Sequence, residues 1–111
     1  MEKDIDWERC RKHLEGIYPE VETSLREGID KVYKRTYSIS LFDFPPHIIL
    51  DFDEANRIET SGGLDRDIRK NLDSISKLIG NTAEKHNLLA YREKDKYTFT
   101  IKPKYKEFAR N

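Results

Sequence analysis

Leu88-Leu89-Ala90-Tyr91-Arg92-Glu93-Lys94-Asp95-Lys96-Tyr97-Thr98-Phe99-Thr100-Ile101-Lys102-Pro103 is the stretch on which the fold turns. From Tyr97 to Lys102 apolar and polar residues alternate, the period of a strand with one buried face, and Pro103 ends the run. The charged tetrapeptide from Glu93 to Lys96 separates it from a second run, Leu88 to Arg92, so the whole reads as strand, turn, strand. One hairpin cannot hold itself together in water. Its meaning depends on what the rest of the chain offers it.

Immediately upstream, Leu64, Ile68, Leu72, Ile75, Leu78 and Ile79 recur at helical spacing, the strongest periodicity in the chain. Ser61-Gly62-Gly63 marks the entry to that helix and Gly80 is placed as its cap. Asn81 and Glu84 then resemble a capping box, which predicts a further short helix from Thr82 to about Asn87. Two strands precede this block: Tyr37 to Phe44, and the Ile- and Leu-rich run His47 to Phe52, joined by Pro45-Pro46. A short return strand is expected at Arg57 to Thr60.

At the other end, Trp7, Cys10, Leu14 and Ile17 form one helical stripe and Val21, Leu25, Ile29 and Val32 another. Gly16 and Pro19 lie between them and predict a break near Tyr18, hence two N-terminal helices. The order is two helices, a strand pair, a helix with a short helix after it, and a C-terminal hairpin. Elements in such blocks predict a single α+β domain over residues 1–111, an antiparallel sheet with helices on one face.

Composition constrains function more than it reveals it. The 111 residues carry 21 Lys and Arg against 21 Asp and Glu, so there is no overall positive charge of the kind a general nucleic-acid binder uses. Charge is nevertheless polarised: residues 1–30 hold nine acids and five bases, residues 92–111 seven bases and three acids. The start of the chain is acidic, without the features of a signal peptide, and the longest apolar run, Ile48-Ile49-Leu50, is too short to span a bilayer. A cytoplasmic location without a membrane partner is expected. The lone Cys10 falls in a helical apolar stripe and reads as a small buried hydrophobe.

Few residues suggest chemistry. Asp51 and Asp53, one residue apart at a strand end, project the same way, and with Glu59 they form a weak candidate metal set for phosphoryl transfer. Ordinary solvated acids at a strand end account for them as well. His13, His47 and His86 have no second ligand at metal-binding spacing, and no phosphate loop, dinucleotide-binding glycine pattern or nucleophile elbow is visible. No catalytic residue and no cofactor is predicted.

Binding is left. The order helix, Gly80-Asn81, short helix, hairpin is similar to that of a winged helix-turn-helix, a likeness of element order and not of motif. It implies DNA contacts from Lys85, Arg92, Lys94, Lys96, Lys102 and Lys104. Against it, alternating lysines also keep an edge strand soluble. The other reading is a protein-interaction module: Tyr33, Tyr37, Phe42, Phe44, Tyr91, Tyr97, Tyr105 and Phe108 supply more aromatic surface than a thin core absorbs, with Tyr33, Tyr37, Phe42, Phe44, Tyr97 and Tyr105 the foremost interface candidates. The stripe from Trp7 to Val32 is long enough to suggest a homodimer through the N-terminal helices. The sequence thus favours a small non-enzymatic regulatory or adaptor protein, such as a phage- or mobile-element-type inhibitor, that binds another protein. A DNA-binding regulator is the alternative and a metal-dependent phosphoryl-transfer enzyme a distant third.

Overall fold

In the computed structural model, which describes residues 4–52, 62–94 and 97–110, Asp6 opens the first element. Its carboxylate accepts the Arg9 backbone N–H at 3.1 Å and so caps helix α1, Trp7–Val32. Cys10, Leu14, Val21, Leu25 and Ile29 are fully buried along one stripe of this 26-residue helix. The break expected near Tyr18 does not occur. Gly16 and Pro19 both lie on the exposed side, so the Glu15 carbonyl that Pro19 cannot satisfy has access to water. Leu14 and Val21, on either side of the proline, are both held in the same core. An interior proline costs about 3 kcal/mol, whereas each fully buried Leu or Val returns about 1.5–3 kcal/mol, so the shared core outweighs the local penalty.

Two strands follow, β1 at Ser38–Asp43 and β2 at Pro46–Asp51, antiparallel with Ile39 opposite Leu50 and Phe42 opposite His47. The turn between them contains a cis Phe44–Pro45 bond. Helix α2, Gly62–Lys85, is also longer than its sequence pattern suggests. It runs straight through Gly80, which is neither its cap nor in a left-handed conformation, and no separate helix begins at Thr82. Leu72, Ile75, Ile79 and Ala83 form one buried stripe across that glycine, so Ala83 carries the apolar face past the residue that reads as a stop. The left-handed residue comes later, at Asn87 with φ 58°, a conformation asparagine tolerates better than most side chains.

Strand β3, Leu88–Arg92, then lies at the sheet edge, and β4, Thr98–Pro103, returns between it and β2. The four-stranded order is β1-β2-β4-β3, antiparallel throughout. The C-terminal hairpin is therefore part of the sheet and not a wing. With no separate recognition helix either, the winged-helix alternative is set aside in favour of the α+β architecture. The expected Arg57–Thr60 strand lies outside the described residues.

All the fully buried strand residues, Ile48, Leu50 and Ile101, share one face with Ile39, Leu88 and Phe99 and meet the stripes of both helices. From Leu14 to Ile29 the α1 stripe that suggested a homodimer is buried in one core with the sheet and α2, whereas Val32 at its end is 38% exposed. Where the helices touch, a Cβ on Gly28 would lie 2.5 Å from both Leu78 methyl carbons. Gly28→Ala is expected to lower stability by about 1 kcal/mol net, overpacking of about 2 kcal/mol less a helix-propensity gain of about 1 kcal/mol. Urea unfolding reads this directly, and a stabilised variant would mean that Leu78 swings aside without loss.

A 3-10 turn, Tyr105–Phe108, closes the described chain against the start of α1. The Asp6 N–H donates to the Phe108 carbonyl at 2.8 Å, the Arg110 N–H to the Asp4 carbonyl at 2.8 Å, and Ile5 bridges Ala109. This clasp puts Trp7, the β1–β2 turn and Tyr105 at the same end of the sheet.

Candidate functional site

Strand alternation sends every second side chain away from the helices, and that second face is where the sequence places residues with no core to fill. Across it, one row pairs Phe42 with His47 and Leu89 with Lys102; the next runs Ser40, Ile49, Thr100, Tyr91. Ile49 and Leu89 are half-buried, whereas Phe42 and Tyr91 are each 46% exposed. The Phe42 ring lies nearly parallel to His47, 5.0 Å away. At the near end of the sheet Phe44 is 71% exposed and meets Trp7 edge-on at 5.3 Å.

Trp7 in turn packs edge-on against Tyr105 at 5.1 Å, and the Tyr105 hydroxyl donates to the Pro46 carbonyl at 2.8 Å. The Lys102 ammonium stands 4.9 Å from the Tyr91 ring centre and 5.6 Å from that of Tyr105. Cation–π attraction of this kind lets a lysine lie along aromatic surface without a carboxylate partner. The result is a continuous chain of contacts from Phe44 through Trp7, Tyr105 and Lys102 to Tyr91.

Burial, with a smaller contribution from neighbouring Cys10, pushes the Tyr105 phenol up to about 12. Tyr37 also reaches about 12, mainly through burial and then through its 2.6 Å hydrogen bond to Asp30, while the Arg26 guanidinium over its ring opposes the shift. Both values lie above the ordinary 10, so the stability these phenols contribute is complete below pH 10 and is lost as pH rises through about 12. Melting temperature is expected to fall across that alkaline window, less steeply in Tyr37→Phe and Tyr105→Phe. An unchanged slope in both variants would contradict the assignment.

The sequence-derived aromatic candidates separate on inspection. Phe42 and Phe44 are exposed, as an interface requires. Tyr33 is 2% exposed, edge-on to Phe52, and belongs to the core, contrary to its expected place at an interface. Tyr37 stacks on Phe52 and, with Tyr97, packs half-buried at the core rim; Tyr105 is half-buried between Trp7 and Pro46. Of the two other aromatic residues in excess, Tyr91 is exposed and Phe108 is buried, whereas Trp7 was missing from the set. Alternation accounts for the exposure of Tyr91, since Leu88 and Ala90 take the core side of β3 and leave Leu89 and Tyr91 on the other. Trp7 could not have been found from the sequence, because its stripe reads as core.

The basic candidates do not form one surface. Lys85 ends α2, Arg92 pairs with Phe99 on the helix side of the sheet, and Lys94 lies in the β3–β4 turn, whereas Lys102 is on the opposite face. Lys104 donates to the Asn87 side-chain oxygen at 2.8 Å. Lys96 lies outside the described residues, as do Asp53 and Glu59 of the candidate metal set. Asp51 is half-buried on the open face, and among the described residues no cluster of three His, Cys, Asp or Glu could hold a metal ion. Cys10 is buried, which raises its thiol pKa above the ordinary value, with Arg9 a smaller opposing influence. No described helix is long and apolar enough to cross a membrane. Comparison of the chain with protein-family models, with curated proteins and with solved structures gives no match.

Proposed function

We propose that the chain is a non-enzymatic regulatory or adaptor protein that binds another protein through the helix-free face of its sheet and the aromatic end beside it. The observation that carries this reading is the exposure of Phe42, Phe44 and Tyr91 around half-buried Ile49 and Leu89. Scattered apolar residues are ordinary on a surface, but contiguous aromatic ones rimmed by polar groups characterise interfaces. The paired rings are held by Trp7, Tyr105 and His47, so little side-chain freedom remains to be lost on binding.

Affinity capture from the native host tests the proposal, using the wild-type chain beside Phe42→Asp/Phe44→Asp and quantifying bound proteins by mass spectrometry. Specific partners retained by the wild type and lost by the variant are expected. Capture of nothing reproducible, or equal capture by both, overturns the proposal.

A further inference from the structure

A basin of about 570 Å³ opens beside the edge strand, with Leu89, Tyr91 and Tyr105 providing apolar lining and Lys102, Lys104 and Lys106 the charge. Its acid, Glu107, accepts from the Asn87 side-chain amide at 2.9 Å, and the same asparagine receives Lys104. Three ammonium groups against one engaged carboxylate leave the basin positive within a chain whose formal net charge is zero. We infer that the basin receives an acidic segment of a partner protein, one in which carboxylates flank an aromatic or aliphatic side chain. The inference rests on the binding role proposed above and specifies the partner's chemistry.

Each part of that description has a counterpart in the basin. Its volume lies inside the roughly 300–1,000 Å³ range of sites that take small ligands or a few side chains. An apolar side chain entering between Tyr91 and Tyr105 finds rings already held in place, while Lys102, lying along both, presents its ammonium to a carboxylate beside that side chain. Lys106 is exposed and supplies attraction at longer range. A second copy of this chain is a poorer occupant. Three strands of six residues and one of five have a footprint of at most about 19 by 20 Å, ~400 Å², too small alone for the ~800 Å² per partner of a standard dimer, whereas a short segment of a partner needs only the basin. Nucleic acid is also a poorer fit, because the remaining basic residues are spread over other faces and no arginine, the side chain suited to gripping phosphate in two bonds, lines the basin.

Selection of a phage-displayed random peptide library on the full chain tests the inference. Enriched peptides are expected to carry Asp or Glu on both sides of an aromatic residue or leucine. A synthetic copy of one should bind at least tenfold more weakly to Lys102→Glu/Lys104→Glu, and more weakly in high salt. Should that variant lose its cooperative melt, Lys106→Glu, at an exposed position, is expected to weaken binding about threefold. No enrichment, enrichment without acids, unchanged affinity in the charge-reversed chain, or tighter binding of a single-stranded oligonucleotide would each overturn it. If that happens while Phe42→Asp/Phe44→Asp still loses captured partners, the binding role stands and only the partner's chemistry is wrong.

Discussion

Replacing Phe52 with alanine is expected to cost about 3–5 kcal/mol, enough to leave the chain close to unfolded at room temperature. Phe52 follows β2 directly, is fully buried, and its backbone N–H donates to the Tyr97 carbonyl at 2.9 Å. Its ring is edge-on to Tyr33 at 5.3 Å and to Phe99 at 6.0 Å and stacks on Tyr37 at 5.3 Å. The alanine variant loses three aromatic contacts and leaves a cavity where α1, the segment after it and two central strands meet. Partial collapse cannot refill the space, because Tyr37 is held to Asp30 and Tyr33 ends the rigid helix. A fall in melting temperature of about 15–25 °C corresponds to that loss in a domain of this size. A shift below 5 °C, roughly 1 kcal/mol, would mean that this corner is not close-packed.

Phe44→Ala and Phe42→Ala should behave in the opposite way. At 71% and 46% exposure their removal takes little from the core, so stability changes of below about 1 kcal/mol are expected, most of it the Trp7 and His47 ring contacts. Affinity for the captured partner should fall by about 30-fold or more for each, the ~2 kcal/mol of a side chain that anchors an interface. Isothermal titration with the purified partner measures the affinity, and circular-dichroism melting of the same samples measures stability. Large losses of stability without loss of affinity would place these rings in the fold and not in the interface.

How much of this was legible in the sequence follows from what each rule counts. Periodicity located the strands and both long helices, because Leu14, Val21, Leu25 and Ile29, like Leu72, Ile75 and Ile79, can fill a core only from one helical face. Pro19 and Gly80 were misread because breaker rules price only the local backbone. Neither residue touches the core-facing stripe, and buried side chains on both sides of each hold the helix continuous. The hairpin was identified with its first strand bounds intact, yet its place in the sheet was not, since nothing local tells an edge strand from a wing. The insertion of β4 between β2 and β3 depends on contacts across the whole chain.

The surface was less legible still. Eight aromatic residues looked in excess of the core, but composition cannot distinguish Tyr33, which ends in the core, from Phe44, which does not. The clasp between residues 4–6 and 108–110 is carried largely by backbone hydrogen bonds, which leave no mark in side-chain patterning. That clasp sets Trp7 against Tyr105 and so assembles the aromatic end.

Nuclear magnetic resonance mapping of the chain with its captured partner tests the central claim most directly. Amide shifts are expected to move at Phe42, His47, Ile49, Leu89, Tyr91 and Lys102, while Lys12, Glu15, Thr23 and Glu27 on the outer side of α1 stay still. Perturbation confined to the outer surface of the helices, with the open sheet face unchanged, would contradict it.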